Sequence, residues 1–252
     1  MRASAIEFRL RMLINAAIIF IGFWAPWIGS RSAWAGLGPH VAALEWLSLR
    51  LSRAGLVPFS AAVPLVIGVA ALLALVGAVL RVWGTAYLGP GTVQSMTMQA
   101  GSTVAAGPYR YVRNPLYLGL WFMVAALAFL MPPTGALFAM VLITLFQWRL
   151  ILGEEAFLAQ QIGEPYLVYK RTVPRILPRL RGAPAPMGRK PELARAALAE
   201  LTPVGVFVAL AFFSWTYDNQ LMVRTILIFF GASLVLRAFL IGGEGRRRPG
   251  SC

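Results

Sequence analysis

GPYRYVRNPLYLGLWFMVAALAFLMPPTGALFAMVLITLFQWRLILGEE, Gly107 to Glu155, sets two apolar runs on either side of Pro132-Pro133-Thr134-Gly135. Pro and Gly at that break end one helix and begin another, so the stretch predicts a helical hairpin. The hairpin brings its two open ends together. Asn114 to Tyr117 begin the first rod and Arg149 to Glu155 finish the second, so polar clusters about 35 residues apart become neighbours at one face. Charge at such depth is expensive, and groups of this kind face a protein interior or a water-filled cavity and mark a working site.

Composition places the hairpin in a membrane. The chain has 252 residues, is 59% hydrophobic and only 13% charged, and its mean hydropathy is +0.71. A soluble domain is roughly 45–50% apolar. The expected fold is an all-α, polytopic transmembrane helical bundle of about six spans, with a cofactor pocket at its cytoplasmic face. Apolar runs at 12–29, 62–83, 115–131, 135–152, 201–217 and 222–241 supply the spans, each near the ~20 residues a bilayer needs. The start of the chain also fits a secretory signal, with Ala33-Trp34-Ala35 as a cleavage site. The long run from Met12 to Ile28 and the aromatics Trp24 and Trp27 favour a retained span with an interfacial belt.

The net charge of +14 is distributed by topology. With both termini cytoplasmic, 16 Lys and Arg fall inside and three outside, as the positive-inside rule requires. That pattern argues against a nucleic-acid partner. It predicts a multi-pass protein of a bacterial cytoplasmic (inner) membrane, with the Arg246-Arg247-Arg248 run as a topology signal or anionic-lipid contact. The single cysteine, Cys252, and the single histidine, His40, leave no set of metal ligands.

Four parts follow along the chain: an N-terminal span with an interfacial helix (1–61), a core of spans two to four with a cytoplasmic helix (62–181), a linker (182–200), and a two-span hairpin with a basic tail (201–252). In the first part, Val41, Leu44, Leu47 and Leu51 recur at helical spacing. They describe an amphipathic helix that either lies on the membrane surface or packs on the bundle. The linker's GAPAPMGRKPEL, Gly182 to Leu193, has the composition of a surface connection.

Beyond the hairpin runs EEAFLAQQIGEPYLVYKRTVPRILP, Glu154 to Pro178. The order G-x-Y-x-x-x-R-N-P-x-Y-x-G, then Glu-Glu, then G-x-x-Y-x-x-Y-x-x-x-V-P-x-x-x-P resembles the isoprenylcysteine carboxyl methyltransferase family and the related phospholipid methyltransferases of membranes. The resemblance covers roughly residues 75–180. It implies an enzyme that uses S-adenosyl-L-methionine, held between helix ends rather than in a Rossmann sheet. Position by position it implies that Gln94, Val104, Tyr109, Asn114, Pro115, Leu116, Tyr117 and Glu154 line the cofactor site. Arg149 and Glu154 are the expected catalytic groups, and Arg113 and Arg149 the expected substrate contacts. The chemistry suits each part of that cofactor. A carboxylate can meet the ammonium or ribose hydroxyls, amides can meet polar edges, and tyrosine faces can meet adenine and attract a sulfonium. Pro115 at a helix start leaves backbone amides for an anion.

The chain departs from the family at two positions. Asn114 stands where histidine is common, and Leu150 stands one turn before Glu154, where an arginine that orients an acidic substrate is expected. The nearest cation, Arg149, is five residues from Glu154 and about 140° around the helix, so the two need not share a face. For Arg110 and Arg113, membrane anchoring is the competing reading, and for Tyr166 and Tyr169 it is helix packing. The expected activity is methyl transfer to a membrane lipid or lipidated small molecule, at a carboxylate or an amine. The alternatives are an NADPH-dependent sterol or enone reductase, whose terminal unit is similar but has an acid where Leu120 follows Gly119, and a non-catalytic membrane scaffold.

Overall fold

A computed structural model describes residues 3–24, 41–89, 105–179 and 190–245, with side chains to residue 236. Among these residues there are only helices: α1 (Ala5–Arg9), α2 (Arg11–Trp24), α3 (Ala43–Arg53), α4 (Phe59–Leu88), a 3₁₀ turn (Gly107–Arg110), α5 (Pro115–Ala128), α6 (Pro133–Ile162), α7 (Glu164–Thr172), α8 (Leu193–Ala199), α9 (Leu201–Thr216) and α10 (Asn219–Gly245). Gln94, Val104, His40, Cys252 and the Arg246–Arg248 run lie outside the described residues.

Every expected apolar run carries a helix, but the lengths differ from the expected six spans. Helices α4, α6 and α10 are long and apolar enough to cross a membrane, and α8 with α9 makes a fourth if that bent pair is one span. Helices α2 and α5 have 14 residues each, short of the ~20 that cross at 1.5 Å per residue. Helix α6 runs ten residues past the apolar run that defines it, to Ile162. Gly163, at φ +73°, then stops it and reverses the chain into α7, a backbone conformation that costs glycine nothing.

The 75° bend between α8 and α9 falls at Glu200. Pro203 explains it: a proline three residues on has no N–H to give to the carbonyl of Ala199 and its ring crowds that group. The leucine- and alanine-rich segment 193–199, which composition assigned to the linker, is helical up to this break.

The rods alternate in direction, so α2 and α9 start, α4 and α6 finish, and α5 starts at one end of the bundle. Backbone bonds tie that end: Ala3 N–H to Arg149 O at 3.1 Å, Arg113 N–H to Pro174 O at 2.9 Å, and Glu192 N–H to Ala86 O at 3.0 Å. At the far end α3 packs on the bundle, its first amides donating to Met131 and Phe129 carbonyls at 2.7 and 2.8 Å across the Pro132-Pro133 turn. The core between the ends is apolar, with Ile67, Met131, Ile143, Leu150 and Leu210 wholly buried. Leu65, Val69, Leu72 and Val79 on α4, and Leu137, Val141, Leu145 and Trp148 on α6, form exposed apolar stripes at helical spacing. Helices that are apolar on both buried and exposed faces are those of a membrane bundle.

Lipid is as apolar as leucine, so close packing of small residues must hold membrane helices together. Helices α4 and α5 meet at Gly77 and Gly119. A Cβ on Gly77 would stand 2.8 Å from Gly119 O, and one on Gly119 would stand 2.7 Å from Arg81 Cγ and 2.9 Å from Gly77 O. Gly119→Ala is therefore expected to cost about 1–3 kcal/mol through overpacking, read as earlier unfolding in SDS titration of the detergent-purified protein. Wild-type stability in that variant would contradict the close approach.

Candidate functional site

Adjacent residues on a helix point about 100° apart, and this separates the two acids of α6. Glu155 turns into a buried cluster of cations. Its Oε1 accepts from Arg113 Nε at 3.1 Å and Asn114 Nδ2 at 3.3 Å, and its Oε2 accepts from Arg175 Nη2 at 2.9 Å, with Lys170 Nζ at 3.9 Å. Glu154 turns the other way, where its Oε2 accepts from the Tyr117 hydroxyl at 2.9 Å.

The second sequence motif supplies the backbone for the first. Arg113 Nη1 donates to the carbonyls of Lys170 and Val173, the latter at 2.9 Å. Asn114 Nδ2 also donates to the carbonyl of Arg175 at 3.2 Å, and the Tyr169 hydroxyl donates to the carbonyl of Tyr109 at 2.8 Å. Tyr166 and Tyr169 are buried and tilted together at 5.8 Å, against Ala105 and Val173. They serve as packing, with one hydroxyl acting as a strut for the 3₁₀ turn. Val173-Pro174 leaves its carbonyls turned toward Arg113, so the R-N-P and V-P motifs form one hydrogen-bonded unit.

Tyr109 lies within electrostatic reach of Glu154. Its hydroxyl is buried without a hydrogen-bond partner, and a Cβ on Gly84 of α4 would lie 3.6 Å from it and 2.8 Å from Leu116 Cδ2. Burial holds this phenol well above its ordinary pKa, and the nearby Glu154 charge adds to the effect, so it stays a neutral donor. Arg11, at the start of α2, acts electrostatically on both Glu154 and Tyr117. Pro115 occupies the first turn of α5, and Asn114, the residue before it, spends its side chain on Glu155 and Arg175 rather than on capping.

Arg149 is placed elsewhere. Its Nη2 and Nε reach Glu7 of α1 at 2.9–3.2 Å, on a different face from Glu154, as the 140° offset predicts. The Leu150 position is wholly buried. Arg113 is a buried structural cation rather than an exposed membrane anchor. Of the residues expected at the site, Tyr109, Leu116, Tyr117 and Glu154 come together; Asn114 and Arg113 brace them from the Glu155 side.

Sequence reasoning passed over Arg11, Arg175, Arg81 and Glu200. Arg81 is a charge inside the apolar run 62–83 and Glu200 an acid at the edge of the next; intramembrane charge is the signal that could have singled them out.

Residues 65–164 match the model of the phospholipid methyltransferase family. The match begins inside α4, takes in the 3₁₀ turn, α5, α6 and thus both acids, and stops before the V-P motif and the last two apolar helices. The first motif, with the Glu-Glu pair, thus falls inside a match to a family of methyltransferases. No curated protein and no solved structure matches the chain.

The two acids should separate experimentally. Glu155→Ala strands three cations, one of them deeply buried, and is expected to cost about 3–5 kcal/mol; Glu154→Ala forfeits one hydrogen bond, about 1 kcal/mol. Equal unfolding midpoints in SDS titration would refute the division. Acid provides a further check. The Arg149 hydrogen bond, with one from the Ser4 amide, pulls Glu7 from 4.5 down to about 2. A lowered carboxylate stabilises above its unfolded pKa and loses that contribution as pH falls through the folded one. Wild type should thus lose part of its stability between pH 4.5 and about 2, and Glu7→Gln should flatten that portion of the curve.

Proposed function

We propose that the chain is an integral membrane methyltransferase that uses S-adenosyl-L-methionine and acts on a lipid-borne nucleophile at the end of the bundle where Glu154 and Tyr117 meet. One observation carries the reading: a buried, unpartnered Tyr109 hydroxyl beside the Tyr117–Glu154 pair, inside the segment matched by the phospholipid methyltransferase family. An orphaned buried donor next to a carboxylate fits a polar, cationic ligand. Tyr109, Pro115, Leu116, Tyr117 and Glu154 would hold the cofactor, with Gln94 and Val104 joining them as the motif resemblance implies. When bound, that cofactor supplies a methyl group activated by a sulfonium leaving group, so orientation and exclusion of water are the protein's main tasks.

Each side chain has a distinct part. Glu154 presents a carboxylate to the ligand's cationic groups, and Tyr117 fixes its rotamer. Tyr109 offers a neutral hydroxyl from the opposite wall. Arg113 and Asn114 hold the start of α5 in register through Glu155. An amine acceptor is favoured over a carboxylate because the position that would orient an acid is the buried Leu150, while Arg149 closes the α1 segment onto α6 through Glu7. Glu154 is then the base we assign to the proton that a neutral amine sheds on methylation. The surplus of Lys and Arg on the site's side of the bundle supports an orientation with that side, and both termini, in the cytoplasm of a bacterial cell.

The test is isothermal titration of the purified protein with S-adenosylhomocysteine, followed by incubation with methyl-labelled S-adenosylmethionine and total lipid. Binding in wild type, a loss of tenfold or more in Glu154→Ala, and label in an amine-bearing lipid are expected. Absent binding, or equal affinity in Glu154→Ala, overturns the reading.

A further inference from the structure

The last two apolar helices lie beyond the family match, yet one residue at their start reaches the wall of the site. Glu200 sits in the bend between α8 and α9 and is 2% exposed. Its carboxylate takes three hydrogen bonds from α4: Arg81 Nε at 2.7 Å, Arg81 Nη2 at 2.9 Å and Thr85 Oγ1 at 2.7 Å. The fork-to-carboxylate arrangement is the strong, directional form of an ion pair. It also puts an anion at the first turn of α9, where the helix dipole favours one.

Arg81 does not stop at Glu200. Its Nη1 reaches the carbonyl of Leu116 in the first turn of α5 at 3.4 Å, and its Cγ packs where a side chain on Gly119 would stand. One turn along α4, Gly84 forms the surface against which Leu116 and the Tyr109 hydroxyl rest. On Tyr109 the Arg81 and Glu200 charges act with opposite sign, behind the larger effects of burial and Glu154. The pair therefore stands behind the side of the site opposite Glu155, and links it to a part of the chain that the family pattern does not include.

We infer that Glu200, acting through Arg81 and Thr85, is a positioning residue of the cofactor site: it fixes the wall formed by Gly84, Leu116 and Tyr109, and so makes the last two helices part of the methyltransferase unit. The inference rests on the cofactor reading given above and extends it to a residue that touches no ligand. A buried pair of this type gives little net stability but fixes geometry, because each partner is costly without the other. Removing the charge from Glu200 while keeping its shape frees Arg81, and the Leu116 carbonyl and Tyr109 lose their fixed backing.

The experiment uses the full chain in detergent. Glu200→Gln, Glu200→Asp, Arg81→Met and the double variant Glu200→Gln/Arg81→Met are compared with wild type by S-adenosylhomocysteine titration, by KM and kcat for methyl transfer, and by SDS unfolding. Glu192→Gln, which breaks an exposed pair with Arg195 on the same helix, is the control and should bind as wild type does. Glu200→Gln should weaken analogue binding about tenfold and raise the cofactor KM in step, with a much smaller change in kcat. Glu200→Asp should recover part of the loss, and the double variant should bind no worse than Arg81→Met. Analogue affinity equal to wild type in a folded Glu200→Gln protein overturns the inference and leaves the cofactor reading intact. Wild type that fails to bind the analogue overturns both. If Glu200→Gln unfolds, Glu200→Asp decides: wild-type KM and affinity in that folded variant overturn the proposal, and a raised KM at near-constant kcat supports it.

Discussion

A buried carboxylate surrounded by cations governs this end of the molecule. Glu155 cannot stand in an apolar bundle without partners, and Arg113, Arg175 and Asn114 cannot leave it without stranding charge or polar groups. Their mutual need fixes three pieces of chain at once: the start of α5, the tail of α6 and the extended stretch at Val173–Arg175. With Glu155 committed to structure, the acid before it, Glu154, is turned about 100° away. A single helical step thus divides the Glu-Glu pair between the Arg113–Arg175 cluster and the Tyr117 hydroxyl.

Apolar packing alone would not hold these groups at a defined separation. In a bilayer the helices gain little by hiding leucine from lipid, so backbone proximity and internal polar bonds carry the specificity. Gly77 and Gly119 bring α4 and α5 close enough for Arg81 to span the contact. The Pro132-Pro133 turn and the α3 amides secure the far end. Between these fixed points the long α6 delivers its acids to the same level as the R-N-P motif.

Much of this was legible in the sequence because it depends on local chemistry. Prolines at 132 and 133 mark the hairpin, apolar runs mark the rods, and the spacing of Tyr109, Arg113, Asn114 and Tyr117 marks the polar end. The helical offset between Arg149 and Glu154 had shown only that they need not share a face. Other features depend on which distant segment fills a space, and periodicity does not carry that information. Nothing in the residues around Glu7 indicates that it receives Arg149, and nothing around Arg175 says that it shares a carboxylate with Arg113. Helix ends were less legible, since apolar character fixes where a helix runs but not where backbone geometry ends it: α5 unwinds at Phe129, ahead of the prolines, whereas α6 continues through its polar tail until Gly163. In the same way, alanine and leucine extended order into 193–199, where the preceding Pro-Gly composition suggested a connection.

The Arg81–Glu200 bond has a consequence for biogenesis. Arg81 precedes its counter-ion by 119 residues, so a nascent chain that holds α4 and not yet Glu200 carries that guanidinium without its carboxylate. Synthesis of the bend at Glu200 supplies the neutralising charge.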